Sequence, residues 1–228
     1  PKIAMLASEI RIMKELKHEH IVKYIGADRK GKTFYIFMEY VPGGSLRSIL
    51  DEFGAFPEDV ARKYSYQMLL GLQYLHDHNV VHRDVKGANV LVSVNGRVRL
   101  SDFGSAHYFD TDEDQEMRGT AYWLAPEVIR GEKATSAADI WSLGCTILEM
   151  LTGEVPFAHI GNSVAVMVAN GDPHTTVDIP DSLNMSMSFA ARDFLLACFN
   201  KVPHCRPTAL ELMQMPFITE FIAIDDMV

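Results

Sequence analysis

The chain has 228 residues, 48% hydrophobic and 22% charged, a balance that supports one globular domain or two small lobes and excludes disorder and low complexity. Lys plus Arg number 21 against 30 Asp plus Glu, a formal charge of −9, which argues against nucleic acid or an anionic membrane as a partner. No stretch reaches the roughly 18 consecutive apolar residues of a membrane span and no secretory signal opens the chain, so the expectation is a soluble, cytoplasmic protein acting on a small molecule or another protein. The three cysteines, Cys145, Cys198 and Cys205, suit neither a disulfide framework nor zinc-ligand spacing and are expected to be buried thiols.

Leu6, Ile10, Met13 and Leu16 recur at helical spacing and predict an amphipathic helix over 4–16. Residues 21–26 and 33–40 read as strands of a hairpin around the turn-like Asp28-Arg29-Lys30-Gly31. Pro42-Gly43-Gly44 then breaks the pattern, and Ser45 is placed to cap a short helix through Leu50. From Pro57 to His76 the chain reads as a long helix with Val60, Tyr64, Met68, Leu72 and Leu75 on its core face. Residues 90–94 and 98–100 form a second hairpin about Asn95-Gly96, a pair in which both residues tolerate positive φ. Residues 137–151, apolar nearly all round and stopped by Thr152-Gly153, predict a buried central helix. Helices over 189–199 and 208–215 complete a mainly helical second half without internal repeats.

The densest chemical signal is His82-Arg83-Asp84-Val85-Lys86-Gly87-Ala88-Asn89, on a loop between the long helix and the Asn-Gly hairpin. Phosphoryl transfer needs a carboxylate near the attacking hydroxyl, a cation for the moving phosphate and hard oxygen ligands for Mg²⁺; Asp84, Lys86 and Asn89 suit those tasks. Asp102-Phe103-Gly104 adds a second oxygen ligand, and Ala125-Pro126-Glu127 follows downstream.

With these motifs in this order the chain resembles a eukaryotic protein kinase domain. Lys86 two places after Asp84, and Gly119-Thr120 ahead of Tyr122-Trp123, resemble the serine/threonine branch. The run from Glu9 to Tyr24, Pro42-Gly43-Gly44-Ser45-Leu46 and Lys86-Gly87-Ala88-Asn89 resemble MAP kinase kinase kinases of the MEKK type. The resemblance implies an α+β, two-lobed fold over residues 1–228: 1–41 is the remainder of a small β-rich first lobe with its hinge, and 42–228 a mainly α-helical second lobe. It implies transfer of the γ-phosphate of Mg-ATP to Ser or Thr of a protein, itself a kinase in a cascade.

By the same resemblance Asp84 would orient and deprotonate the acceptor hydroxyl, Lys86 would neutralise the γ-phosphate, Thr120 would bridge the two, and Asn89 with Asp102 would hold Mg²⁺. Glu9 would pair with a strand lysine. Met38 corresponds to the gatekeeper and Glu39, Tyr40 and Val41 to the adenine hinge, while Ser45, Leu91 and Ser101 would line the nucleotide pocket. Glu127 and Arg206 correspond to a buried ion pair below the substrate groove, and Asp139 to the anchor of the catalytic-loop backbone. Phe103, Tyr24 and Met13 suggest a hydrophobic stack. His82 is expected to be core-packed, and His18, His20, His76 and His78 to lie at the surface.

Two features depart from the family. A Gly-rich loop and the phosphate-binding lysine belong upstream of Glu9, and Lys2 is too close to Glu9 to be that lysine; with Pro1 in place of Met, the expectation is a fragment that is unstable and transfers little phosphate. The stretch before Gly119 is crowded with Asp110, Asp112, Glu113, Asp114 and Glu116, leaving Thr111, Tyr108 and Ser105 as its hydroxyls. One reading is that fixed carboxylates such as Glu116 partly replace phosphate as partners of Arg83, with Thr111 the main Ser/Thr hydroxyl of the stretch; the other is an acidic, solvated loop. Ala121 and Leu124 stand where Pro and Met are frequent. The rival reading is a catalytically inactive kinase-fold module that binds partners.

Overall fold

The structure is a computed structural model and describes residues 2–31, 33–109, 118–172, 175, 177 and 179–225. Its elements run α1 (Lys2–Glu15), β1 (Tyr24–Lys30), β2 (Thr33–Met38), α2 (Leu46–Phe53), α3 (Glu58–Asp77), β3 (Val80–Val81), β4 (Val90–Val92), β5 (Val98–Leu100) and β6 (His107–Tyr108). There follow α4 (Pro126–Ile129), α5 (Ser136–Thr152), α6 (Ser163–Gly171), α7 (Asp181–Ser186), α8 (Phe189–Cys198), α9 (Ala209–Leu212) and α10 (Pro216–Asp225). Strands come early and helices dominate later, an α+β organisation. Among the described residues no helix is long and apolar enough to cross a membrane.

β1 and β2 pair antiparallel, with Arg29 opposite Phe34 and Lys30 opposite Thr33. Asp28, Arg29 and Lys30 are therefore strand residues, not the turn that their polarity predicts. Aromatic partners on β2 outweigh their weak strand preference, and the Arg29 guanidinium carbon lies 5.0 Å over the Phe34 ring. Ile21 leaves the hairpin and forms a parallel bridge with Leu100. His20 O accepts from Leu100 N and Leu100 O from Val22 N, both at 2.9 Å.

Ser45 caps α2 through a capping box with Ser48. The Gly44 carbonyl accepts from Val92 N at 2.8 Å, and Ser45 bridges to Leu91; the break at 42–44 is thus tied to β4. Pro57 sits at the N-cap of α3. Met68, Leu72 and Leu75 are fully buried as the stripe predicts, and Ala61 and Leu69 join them, because α3 is covered by both α5 and β5. The loop joining β4 to β5 is wider than a two-residue turn: Ser93 N donates to Arg97 O at 2.8 Å and Gly96 N to Ser93 O at 2.9 Å. Gly96 alone of the Asn-Gly pair takes positive φ, at +73°.

The buried helix α5 ends on Gly153 at φ +76°, whose N–H reaches the Glu149 carbonyl. α8 crosses α5 at Gly144, where a Cβ would come within 2.7 Å of the Cys198 Cβ. Cys145 and Cys198 are buried at this crossing. Cys205 is exposed, against expectation, since it lies in the short Pro203–Cys205 turn between helices. His82 is fully buried. His20 and His76 correct the surface reading of the other histidines: His20 is buried with Nδ1 2.9 Å from Val98 O, and His76 Nε2 lies 2.9 Å from Asp139 Oδ2. Their polar partners come from distant elements and are invisible in local sequence.

Candidate active site

β3 delivers the chain into the loop His82 to Asn89, which closes in a short turn at Gly87–Asn89 before β4. The loop backbone is held from below by Asp139 of α5, whose Oδ2 accepts from His82 N at 2.9 Å and whose Oδ1 accepts from Arg83 N at 2.8 Å. Arg83 has φ +65°, a left-handed backbone that a side chain tolerates only when its surroundings enforce it. Asp139 is fully buried. Burial pushes its carboxyl up, but the hydrogen bond and charge of His76, then the charge and backbone N–H of His82, outweigh this and hold it below the usual range.

Glu149, also on α5 and fully buried, fixes the other end of the loop. Its Oε2 accepts from Gly87 N at 3.1 Å and its Oε1 from Arg47 Nη1 at 3.1 Å. Burial raises its pKa despite those two donors. A Cβ on Gly87 would lie 2.8 to 3.0 Å from the Glu149 carboxyl atoms, so a larger residue here requires the buried carboxylate to shift. Sequence reasoning missed Glu149 and Arg47; an acid inside the otherwise apolar α5 was the available signal.

Asp84 is nearly buried and lies in a closed set of short contacts. Lys86 Nζ donates to Asp84 Oδ2 at 2.8 Å and to Thr120 Oγ1 at 2.6 Å, and the Thr120 hydroxyl donates to Asp84 Oδ1 at 2.8 Å. Asn89 Nδ2 donates to Asp84 O and Oδ2, each at 2.9 Å. Gly119 allows the close approach of Thr120: its φ is +115°, and a Cβ there would be 2.6 Å from Arg83 O. Three residues up to 36 positions from Asp84 are thereby brought onto its one carboxylate.

Asp102 opens the Phe103–Ser105 turn at φ +60°, accepting from Gly104 N at 3.3 Å. Its side chain is exposed, whereas Phe103 is buried with its ring centroid 5.1 Å from that of His82. Met13 is buried in the same core, and Tyr24 packs against it. Glu9 of α1 reaches this turn: a Cβ on Gly104 would be 3.3 Å from Asp102 Oδ1 and 3.8 Å from Glu9 Oε2. Burial first, and the Asp102 charge second, push the Glu9 carboxyl above its usual range. The far end of α1 is tied by Tyr108, whose hydroxyl donates to Glu15 Oε2 at 2.7 Å under the Arg11 guanidinium.

The remaining expected residues fall into smaller groups. Ser101 Oγ donates to Asn89 O at 2.9 Å, and Ser45 caps α2 opposite Leu91. Met38, Glu39, Tyr40 and Val41 lead from β2 to the break; Met38 and Tyr40 are exposed and Val41 is buried. The Glu39 carboxylate accepts from Lys23 N at 2.7 Å and pairs with Arg99 at 3.3 Å. Glu127 and Arg206 form a buried two-pronged pair at 2.8 and 3.1 Å. Arg206 is completed by the Ala137 and Asn200 carbonyls and by the Trp141 ring 5.2 Å away. Arg83 Nε donates to Ser105 O at 2.6 Å. Thr111 and Glu116 lie outside the described residues.

The statistical model of the family described as "Protein kinase domain" matches residues 2–218. The chain is 44% identical over 221 residues to "Mitogen-activated protein kinase kinase kinase 2" of Arabidopsis thaliana, covering 95% of this chain and 33% of that protein. It is 45% identical over 220 residues to "Mitogen-activated protein kinase kinase kinase ANP1" of the same plant, covering 95% and 32%. To "Mitogen-activated protein kinase kinase kinase A" of Dictyostelium discoideum it is 42% identical over 218 residues, covering 95% and 23%. The chain thus spans about a third or less of the length of these relatives. With the Asp84 loop, the Asp102 turn and the Glu127 to Arg206 pair in one fold, and a family match over nearly the whole chain, this polypeptide belongs to the protein kinase domain family.

Proposed function

We propose that the chain transfers the γ-phosphate of ATP to serine or threonine of a protein substrate, and that this substrate is the next kinase of a MAP kinase cascade. The observation that carries the reading is the closed contact set of Asp84, Lys86, Thr120 and Asn89. It presents one oriented carboxylate with one cation beside it, two of the groups that hydroxyl attack on a phosphate requires. The acceptor hydroxyl displaces Thr120 or Lys86 as a donor to Asp84. As its oxygen bonds to the γ-phosphorus and the bond to the ADP oxygen breaks, the proton passes to the Asp84 carboxylate. Lys86 Nζ, freed to turn outward, offsets charge on the transferred group.

The donor set also suits Mg²⁺. Asn89 spends its amide N–H groups on Asp84, leaving Oδ1 as its free end, and the exposed Asp102 carboxylate holds one long backbone bond. Two such hard oxygens, completed by phosphate and water, match Mg²⁺ preference. When bound, the ion supplies positive charge to the ATP phosphates. Residues 1–41 and 42–228 act as the two lobes about the break at 42–44, with Met38 to Val41, Ser45, Leu91 and Ser101 along the nucleotide. Asp139, Glu127 and Arg206 hold the floor.

A second reading, an inactive binding module, is favoured by one observation: Glu9 faces Asp102, another carboxylate, at the same turn. The experiment is transfer of radiolabelled γ-phosphate to a purified, catalytically dead MAP kinase kinase, by the chain and by Asp84→Asn. Turnover falling by about 10²- to 10⁴-fold in the variant, with unchanged melting and Mg-nucleotide binding, supports the transferase. Absence of transfer by both forms, with or without nucleotide binding, ends the transferase reading and leaves the partner-binding module.

A further inference from the structure

Asn170, in the last turn of α6, is 1% exposed, and a buried amide must find partners. Its Nδ2 donates to Leu124 O at 2.6 Å. Its own main-chain O and Oδ1 accept from Lys201 Nζ at 2.6 and 3.2 Å, and Lys201 also reaches Asp172 O at 3.3 Å. A cation over the carbonyl end of a helix is favourably placed, yet burial lowers the Lys201 pKa, with Asp172 partly restoring it. Lys201 Nζ lies 5.3 Å from the centroid of Trp141, the ring that Arg206 also faces at 5.2 Å. Because Arg206 pairs with Glu127, the contacts run from Glu127 through Arg206, Trp141, Lys201 and Asn170 back to Leu124. Both ends of the stretch 124–127 are gripped.

That stretch adjoins the reacting centre. Thr120 touches Asp84 and Lys86; Trp123 N then donates to Thr120 O at 2.8 Å and Trp123 O accepts from Ser142 Oγ at 2.8 Å. Ala121 and Tyr122 are half-exposed, while Trp123 and Leu124 are buried. A peptide with its hydroxyl at Asp84 therefore passes over Ala121 and Tyr122, whose height is set by how deeply Leu124 is held. We infer that Asn170 and Lys201 are positioning residues for the acceptor peptide: they fix the Leu124 carbonyl and thereby shape residues 120–124 to select the side chain next to the phosphorylated hydroxyl. This rests on the transferase reading above.

The test uses the full chain and its variants Asn170→Leu, Lys201→Met and Lys201→Arg, with Asn170→Asp as a same-sized variant that loses the donor. Each is assayed on Ser/Thr peptides varied at the positions flanking the acceptor. Asn170→Leu and Lys201→Met are expected to raise peptide KM about tenfold and to flatten selectivity beside the acceptor, leaving KM for ATP unchanged. Lys201→Arg restores selectivity. An unchanged selectivity profile, with only a lower melting temperature or a uniform loss of kcat, overturns the inference. If the wild-type chain phosphorylates no peptide, the transferase reading has failed by itself, and amide exchange judges the grip: faster exchange at Trp123 and Leu124 in Asn170→Asp upholds it, unaltered exchange ends it.

Discussion

Asp139→Asn tests whether one buried carboxylate sets the shape of the loop from His82 to Asn89. The native group accepts from His82 N, Arg83 N and His76 Nε2 at 2.8 to 2.9 Å. An amide of the same size has one acceptor oxygen; its NH₂ must face either Arg83 N–H or the His82 and His76 donors. At best one charge-assisted bond is lost, about 1.5–3 kcal/mol, and two become neutral, about 1 kcal/mol each. The sum is about 4 kcal/mol, at roughly 2–4 °C per kcal/mol a melting point about 8–16 °C lower. Arg83, at φ +65°, relaxes towards ordinary backbone, and exchange at its amide and that of His82 accelerates. Acid supplies the sign check: the folded-state pKa of Asp139 is depressed, so its contribution is complete above the unfolded value of about 3.9 and is lost as pH falls through the folded value. The gap between wild type and variant, measured by urea midpoints, is therefore constant from about pH 7 to 5 and narrows below about pH 4. A melting shift under about 2 °C, or a gap that does not narrow in acid, refutes the reasoning.

Gly87→Ala puts a methyl 2.8 to 3.0 Å from the buried Glu149 carboxyl; we expect a loss of about 1–3 kcal/mol in denaturant titration and turnover at least about tenfold lower from a loop displaced by even 1 Å. Tyr108→Phe removes the bond to Glu15, about 1 kcal/mol. Burial, then the Glu15 bond and charge, push the Tyr108 phenol up to about 12, so its stabilising effect is full below pH ~10 and fades as pH rises towards the folded value. Urea midpoints of wild type and variant should accordingly converge in alkali, and parallel curves would refute the link. Arg206→Met strands Glu127 in a buried site and should cost about 3–5 kcal/mol, while Glu127→Met added to it should recover part of that loss in thermal melts; additive losses would show that the pair is not coupled.

Helices were legible where a stripe of apolar residues and a stop coincided, as at Met68, Leu72 and Leu75 of α3 or at Gly153 behind α5. The loop from His82 to Asn89 was legible because motif order carries information that no single residue does. What the sequence concealed was always a partner. Asp28 to Lys30 look like a turn until Phe34 stands opposite. Asn95 looks like half of a tight turn until Ser93 and Arg97 close a wider one. Glu149, Arg47, Asn170 and Lys201 have unremarkable neighbours in the chain and acquire meaning from contacts 31 to 102 positions away.

The loop's dependence on distant anchors also orders events during synthesis. His82 waits for a partner 57 residues later, Gly87 for one 62 residues later, and Glu127 for Arg206, 79 residues on. At about 5–20 residues per second, several seconds pass on the ribosome before the loop can adopt its strained backbone. A chain halted before α5 has neither Asp139 nor Glu149, so Asp84 and Lys86 then sit on unanchored backbone.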